Sequence, residues 1–261
     1  MQVSEILALY DRHERQEADE PGMRRESLED IVRLIDLRGT ESAVVFSRLS
    51  DHTADEAIAR EAQYFGALGH NLEWKLFAHD APGDLHDRLL AHGFQAEDEE
   101  TILALDLSEA PAQLLSPVSP DIRRITRPTD LKDFTRVREA VWPGRHAWLD
   151  ERLAGLLQTD PQSLSVYVAY ADGVPASTAR IQFSNHSPFA SLWGGATLPE
   201  LRGRGLYSGL LAVRVQEALR RGARFLTIDA TPMSRPIVEK FGFRRLTTAT
   251  AHVREVAAAE G

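Results

Sequence analysis

Two arginines alternate with two glycines at Arg202-Gly203-Arg204-Gly205, and this short stretch is the part of the chain best suited to bind an anion. The apolar residues before it, 189–197, predict a buried strand, and an apolar helix begins at Leu206. A strand, a glycine turn and a helix in this order bring the first free N–H groups of the helix and the positive end of its dipole to one point. Gly203 and Gly205 allow a close backbone approach. The stretch predicts a phosphate site, and a tight turn without a ligand is the alternative.

The same residues resemble the R/Q-x-x-G-x-G/A signature of the GCN5-related N-acetyltransferases, the GNAT superfamily. Arg202, Gly205 and Tyr207 stand at its three fixed positions, and a later helix ends in Lys240-Phe241-Gly242-Phe243. Tyr207 departs from the usual Gly or Ala, so its ring must point away from the phosphates or alter the site. The resemblance implies that acetyl-CoA is a co-substrate. It assigns the pyrophosphate to Arg202, Gly203, Arg204, Gly205, Leu206, Tyr207 and Ser208.

The resemblance also implies a role for the strand before the loop. In the family, a splayed strand supplies backbone groups to the pantetheine arm and the thioester, and here that strand would contribute Gly195, Ala196 and Thr197. The paired glycines Gly194-Gly195 would permit the close approach. They could equally mark a β-bulge inside the sheet.

Proton transfer is where the sequence departs from the family. Thr231 stands where many members carry Asn, and Val238 stands where they carry the Tyr that protonates the leaving thiolate. Because Val238 has no proton to give, we consider Ser234 and Tyr207 as the catalytic residues. Ser234 is equally suited to cap a helix, and Tyr207 to pack its start. Deprotonation by water without a dedicated base is a third alternative.

The composition excludes several kinds of chemistry. The chain of 261 residues has no cysteine, which rules out disulfides, thiolate metal ligands and a cysteine nucleophile. No histidine or carboxylate motif with metal-ligand spacing is present, so we expect no metal. The absence of cysteine fits a reducing compartment, no signal peptide or membrane-spanning stretch is visible, and we therefore expect a cytoplasmic protein.

The net charge of −9 is unevenly distributed. Residues 1–117 contain 10 Lys and Arg against 25 Asp and Glu, whereas residues 118–261 contain 20 against 14. A basic second half suits a polyanionic small ligand such as CoA. We expect a small-molecule amine substrate, and neither nucleic acid nor a membrane as a partner. A homodimer is compatible with these features.

The elements that must position the loop form a repeated pattern. Asp80 precedes Gly93-Phe94 by the same thirteen positions that separate Asp229 from Gly242-Phe243, and each pair encloses a turn and a short helix. We interpret this as two copies of one α/β unit. Asp80 and Asp229 then share a structural task, such as capping the next helix, rather than catalysis.

The resemblance and the repeat together predict the fold class and the domains. We expect an α/β (α+β) protein made of two tandem GNAT-like domains, each with a mixed central sheet flanked by helices. Residues 1–110 form a degenerate domain, the proline-containing residues 111–120 a linker, and residues 121–261 the domain that binds acetyl-CoA. Within the first domain, the apolar spacing predicts helices at residues 1–18 and 24–38.

The first copy differs from the second at its loop. Its equivalent stretch, Ser50-Asp51-His52-Thr53-Ala54, has no glycine and has an acidic residue where phosphates would lie. We therefore expect that it does not bind CoA. The sequence as a whole predicts an N-acetyltransferase acting on an amine of a small molecule or peptide, and the alternative is a non-catalytic acyl-CoA-binding sensor or scaffold.

Overall fold

The computed structural model describes residues 1–37, 39–144, 148–184 and 186–256, which divide into two compact units. Unit 1 comprises residues 1–102, 230–233 and 245–261, and unit 2 comprises residues 103–229 and 234–244. Each unit therefore takes segments from both sides of residues 111–120. The final strand of the chain belongs to unit 1 except for its first residue.

Helices and strands are distributed along the whole described chain. The helices are α1 (Val3–Tyr10), continued by a π-helical turn (Asp11–Gln16), α2 (Ala54–Leu68), α3 (Leu85–Ala91), α4 (Ala112–Leu115), α5 (Lys132–Val141), α6 (Trp148–Thr159), α7 (Leu206–Arg220) and α8 (Arg235–Glu239). The strands are β1 (Met23–Ser27), β2 (Ile31–Asp36), β3 (Glu41–Ser47), β4 (Asn71–Phe77), β5 (Gln95–Ala96), β6 (Glu100–Asp106), β7 (Asp121–Ile125), β8 (Leu164–Ala171), β9 (Val174–Phe183), β10 (Phe189–Thr197), β11 (Phe225–Ala230) and β12 (Arg244–Arg254).

Unit 1 is built on a mixed sheet with the strand order β1-β2-β3-β4-β12. The pair β3–β4 is parallel, and the pairs β1–β2, β2–β3 and β4–β12 are antiparallel. Its core surrounds Trp74, which is fully buried and meets Phe94 edge-on at 6.5 Å between ring centroids. Phe65 of α2 belongs to the same apolar cluster, so burial of these large aromatic side chains fastens α2 to the sheet.

The prediction of a helix over residues 24–38 is wrong, because residues 23–36 form the hairpin of β1 and β2, and residue 38 lies outside the described residues. Residues 31–35 are all buried, as expected for a strand that is covered on both faces. The apolar residues on either side of Arg33 also satisfy helical spacing, so periodicity alone could not distinguish a helix from a strand. The backbone N–H of Leu28 donates to the carbonyl of Ile31 and closes the turn. The helix predicted over residues 1–18 is present as α1 and its π-helical continuation.

In unit 2, neighbouring strands of mixed direction follow the order β11-β10-β9-β8-β7. The pair β10–β11 is parallel, and the other neighbours are antiparallel. The rings of Phe189 and Phe225 lie opposite each other in the β10–β11 register and stack at 4.9 Å. They anchor the parallel pair at its beginning, which leaves its far end free to diverge.

Each unit therefore shows the predicted mixed sheet with flanking helices. Residues 111–120, predicted as a linker, contain the short helix α4 and belong to unit 2. The amide of Gln216 on α7 donates to the carbonyls of Leu114 and Ser116, at 3.0 Å and 2.9 Å. Within the part of the chain that the structure describes, no helix has both the length and the apolar character needed to cross a bilayer.

Candidate functional site

The parallel strands β10 and β11 are paired over the first four residues of β10. Their pairing runs from Phe189 and Phe225 to Leu192 and Ile228, and in the described residues it ends there. Strand β10 nevertheless continues to Thr197, bonded to β9 on its other side. We call the opening beyond the last pair, along residues 193–197 of β10, the unit 2 notch. Backbone groups on the open edge of a strand are free to bind a ligand.

A β-bulge lies in β10 at the start of this notch. Trp193 pairs with Arg180 and Ala196 pairs with Thr178, so that Gly194 and Gly195 together stand opposite the one intervening residue of β9. Gly194 has a φ of +60°, a conformation that disfavours a side chain. Of the two interpretations of the paired glycines, the bulge is present, and bulges commonly re-aim the backbone beside functional sites.

Hydroxyl groups of β9 hold the bulged segment in place. Ser177 donates to the carbonyl of Ala196 at 2.6 Å and lies 2.7 Å from the hydroxyl of Thr197. Ser177 and Thr178 are both fully buried, so these polar contacts are shielded from water. Sequence reasoning missed this support, although two adjacent hydroxyl residues among the apolar residues of this strand were a visible signal.

The predicted anion loop follows β10 directly. Residues 199–201 form one turn of 3₁₀ helix, and the exposed residues 202–205 lead into α7. Gly203 and Gly205 have φ values of +76° and +77°, in the left-handed region that only glycine adopts without strain. Arg202 donates from Nε to the carbonyl of Thr197 at 3.3 Å, which ties the loop back to the notch.

The amides at the start of α7 are available to a ligand. The helix begins with the bond from Gly209 N–H to the carbonyl of Gly205, at 2.9 Å. The N–H groups of Leu206, Tyr207 and Ser208 therefore have no carbonyl partner within the helix, and the helix dipole adds partial positive charge at the same point. Donors arranged in this way can bind phosphate oxygens.

A groove of about 570 Å³ runs beside this loop, entirely within unit 2. Among the predicted residues, Arg204, Gly205, Leu206 and Ser208 line it. Residues 116–120 form another part of its wall, which the sequence did not indicate. Gly195, Ala196, Thr197, Arg202, Gly203 and Tyr207 lie outside the groove, on the notch, the loop and the first turn of α7.

Tyr207 connects the helix with the notch. A Cβ atom placed on Gly195 would lie 3.1 Å from Cε2 of Tyr207, so the ring packs on β10 at the bulge. Burial raises the pKa of Tyr207.

A buried cation, Arg214, lies two turns after Tyr207 on the same face of α7. It was not singled out from the sequence. It is 1% exposed and donates to the carbonyls of Leu210 and Arg180, at 2.9 Å and 3.2 Å. Burial lowers the pKa of Arg214 to about 10, and the charge of Arg214 opposes the rise in the pKa of Tyr207. Its spacing of seven residues from Tyr207 was the available signal.

Ser234 and Val238 lie on α8. Ser234 occupies the N-cap position, where its side chain makes no capping hydrogen bond, although its carbonyl accepts from Ile237 and Val238. Val238 is fully buried and therefore packs in the interior. In the described part of the chain, no three histidine or carboxylate side chains come together in a way that could hold a metal ion.

Comparison with known proteins gives consistent results. The family described as "Acetyltransferase (GNAT) family" matches residues 127–243. A curated relative, "Aminoglycoside N(6')-acetyltransferase type 1" of Salmonella typhimurium, is 32% identical over 136 residues, which cover 47% of this chain and 90% of the relative.

Solved structures resemble the chain over nearly its whole length. A GCN5-related N-acetyltransferase from Kribbella flavida has a TM-score of 0.67 at 16% identity, covering 99% of this chain and 97% of that one. A tandem GNAT protein from the clavulanic acid biosynthesis pathway has a TM-score of 0.58 at 15% identity, covering 93% of this chain and 86% of that one. At these identities the likeness shows the fold, which is that of a tandem protein.

Proposed function

Because the chain belongs to the GNAT superfamily of acetyltransferases, we propose that it transfers an acetyl group from acetyl-CoA to the amine of a small molecule. The observation that carries the proposal is the continuity of the loop and the notch. The free amides at the start of α7 suit a diphosphate, and the open edge of β10 begins next to them. One extended ligand with an anionic middle and a neutral arm would fit both.

The reaction asks little of the protein beyond positioning. The amine nitrogen attacks the thioester carbonyl, the C–S bond breaks, and the products are an amide and free CoA. One proton leaves the nitrogen and one reaches the sulfur. Backbone donors at the bulge, within Gly195, Ala196 and Thr197, would face the carbonyl oxygen as it becomes negative. Arg202 to Ser208 would hold the diphosphate.

Tyr207 and Ser234 are the groups that we propose for proton transfer. Tyr207 has the stronger support, because its ring packs on β10 at the notch, beside the backbone groups proposed to face the thioester. Ser234 stands at the N-cap of α8, the helix start where the sequence placed it. If either residue transfers a proton, its loss should lower kcat about 100-fold or more, whereas a packing role for Tyr207 leaves kcat of Tyr207→Phe nearly unchanged.

The acceptor is proposed only as a class. The Salmonella relative acts on an aminoglycoside according to its name, and an aminoglycoside therefore belongs in any panel of acceptors, together with amino sugars, polyamines and amino acids. A non-catalytic module that binds acyl-CoA is the second candidate. It is favoured by the burial of Val238 where the resemblance would place a proton donor.

The test combines binding with turnover. Calorimetry measures acetyl-CoA binding, and a thiol reagent measures CoA release with each amine. The chain has no cysteine, so the protein itself contributes no thiol signal. Release of CoA with any amine supports the transferase, binding without release on the whole panel supports the module, and no binding contradicts both.

Gly203 and Gly222 offer a matched pair of variants for this test. They flank opposite ends of α7, have φ values of +76° and +78°, and leave open space around a Cβ. Alanine at either position carries the same strain, about 1 kcal/mol. We expect Gly203→Ala to weaken acetyl-CoA binding about tenfold and Gly222→Ala to leave binding unchanged. Equal affinities would contradict binding at the loop.

A further inference from the structure

Unit 1 contains the same parting of strands as unit 2. Its parallel pair β3–β4 runs from Glu41 and Asn71 to Val44 and Trp74, four residue pairs like the ladder of β10 and β11. A bulge also follows at once, because Val44 pairs with Arg33 and Phe46 pairs with Val32. Val45 is therefore the extra residue of β3. We call the region beyond the last pair, between Val45 of β3 and the end of β4, the unit 1 notch.

The side chain of Arg15 lies across this notch. Its Nε donates to the carbonyl of Val45 at 3.1 Å, so it binds the bulged residue itself. Its guanidinium carbon lies 3.9 Å from the centroid of the Phe77 ring, and Phe77 is the last residue of β4. Arg15 thus contacts both strands past the point where their pairing ends. It is 2% exposed, so neighbouring residues cover it almost completely.

Carboxylates hold the charge of Arg15 in place. Nη2 donates to both oxygens of Asp80, at 2.6 Å and 2.8 Å, and Nη1 donates to Asp11 at 2.8 Å. Asp80 also accepts from the backbone N–H of Phe77 at 3.0 Å. The task of Asp80 is therefore to hold Arg15 and the end of β4, and the predicted capping of the next helix is wrong for this residue. A buried guanidinium with its donors satisfied is costly to displace.

The loop of unit 1 is closed as well. The N–H of Ser50 donates to the hydroxyl of Thr53 at 3.0 Å, and the N–H groups of Thr53 and Ala54 both donate to the carbonyl of Ser50 at 3.1 Å. The N–H of Ala54, the first residue of α2, is thus bonded within the loop, whereas the N–H of Leu206, the first residue of α7, has no carbonyl partner within its helix. The acidic side chain of Asp51 would in addition repel a phosphate.

We infer that Arg15 is a built-in occupant of the unit 1 notch and that the chain consequently binds one acetyl-CoA, in unit 2. The inference rests on the proposed function for the statement that a notch of this kind accepts the acyl arm. Unit 1 then fails to bind acetyl-CoA because the Arg15 side chain takes the place of the ligand. The absence of glycines from its loop is a second cause.

Calorimetry on the whole chain tests the stoichiometry without altering Arg15. We expect one acetyl-CoA per chain for the wild type and none for Gly203→Asp, which places a negative charge and a strained residue in the unit 2 loop. Gly222→Asp is the matched control and should bind one equivalent. Two equivalents for the wild type, or one that survives unchanged in Gly203→Asp, would overturn the inference. Binding of none by the wild type would overturn the proposed function instead, and the rescue experiment would then decide on Arg15.

The rescue experiment tests the notch as a small-molecule site. Arg15→Ala should lower Tm by several degrees and should regain at least half of the loss with ethylguanidinium at millimolar concentration. Sodium chloride at the same ionic strength should have no such effect, and wild-type Tm should not rise with either salt. Rescue equal to that of sodium chloride would contradict the assignment. If Arg15→Ala does not fold alone, its far-UV circular dichroism should return on addition of ethylguanidinium and not on addition of sodium chloride, and no return with either salt would contradict the assignment.

Discussion

The ring of Tyr207 lies so close to Gly195 that a Cβ atom on Gly195 would be only 3.1 Å from Tyr207 Cε2. The identities of the two residues are complementary in size. Tyr207 replaces the small residue of the loop signature, and Gly195 leaves the space that its ring fills. The departure in the helix is therefore matched by a glycine on the facing strand, so the two positions should be energetically coupled.

This coupling predicts the outcome of a double-mutant cycle. Gly195→Ala should lower the free energy of unfolding by about 1 kcal/mol, because Tyr207 must move to admit the methyl group. In the Tyr207→Ala background the same substitution should be neutral or stabilising, since the space is empty. Urea unfolding of the four proteins measures the coupling. Gly83→Ala, at a glycine with open space around it, is the control and should leave stability nearly unchanged.

The same pair should also affect function. Because Gly195 lies on the notch, displacing Tyr207 toward it should raise the KM for acetyl-CoA in Gly195→Ala. Adding Tyr207→Ala to Gly195→Ala should bring the KM for acetyl-CoA part of the way back to the wild-type value. A KM that is unaffected in Gly195→Ala would show that the ring and the acyl arm do not share this space.

The sequence predicted the loop and its flanking elements because their signals are local. Glycines before an apolar helix and a strand of apolar residues each determine their own conformation, and the strand 189–197 and the helix from Leu206 were found with these bounds. The β-bulge at Gly194 was one of two interpretations, since both give the same glycine pair. The roles of Arg202–Ser208 in binding stay predictions.

The elements that sequence reasoning missed depend on distant partners. Whether residues 24–38 form a helix or a hairpin was decided by burial of β2 on both faces, which periodicity cannot report. Likewise, the place of strand β12 beside β4 depends on a pairing with residues more than 170 positions away. For the same reason, Arg15 could not be distinguished from a surface arginine of the helix predicted over residues 1–18.

A buried carboxylate in unit 2 gives a further prediction. Glu217 is 4% exposed and accepts hydrogen bonds from Ser165 and Tyr167, both at 2.7 Å. The double variant Ser165→Ala, Tyr167→Phe removes both donors and should lower the free energy of unfolding by about 3 kcal/mol.

Adding Glu217→Gln to that double variant should recover part of the lost free energy of unfolding, because a neutral amide costs less to bury than a carboxylate. Chemical denaturation measures the three proteins. A further loss on adding Glu217→Gln would show that this carboxylate is not the source of the cost.

Alkaline pH should destabilise unit 2 through Tyr170. Burial, together with its hydrogen bond to Asp133 at 2.6 Å, raises the pKa of Tyr170 to about 12. A folded-state pKa above the unfolded value of about 10 gives stability that is complete below pH 10 and is lost as the pH rises toward 12. Tm of the wild type should therefore fall over this range. Tyr170→Phe, which has no group to ionise, should lose less, and Tyr64→Phe in unit 1 is the control. Equal slopes for the wild type and Tyr170→Phe would contradict the assignment.

Acidic pH should destabilise unit 1 through a pair of histidines. His252 is fully buried, its Nε2 lies 2.9 Å from Nδ1 of His86, and its Nδ1 lies 3.2 Å from the carbonyl of Thr250. Burial lowers the pKa of His252, and the proximity of His86 lowers it further. The neutral form is therefore favoured in the folded state. The resulting stability is present above the unfolded pKa of about 6.5 and is lost as the pH falls below it.

We expect Tm to decrease by several degrees between about pH 7 and pH 5, and the decrease to be smaller in His252→Gln, which cannot be protonated in this range. His92→Gln is the matched control, because His92 belongs to the same unit but is partly exposed beside Asp55. It should follow the wild-type curve. Thermal unfolding at a series of pH values in buffers of constant ionic strength separates the three proteins, and a His252→Gln curve parallel to the wild type would show that this pair does not control acid stability.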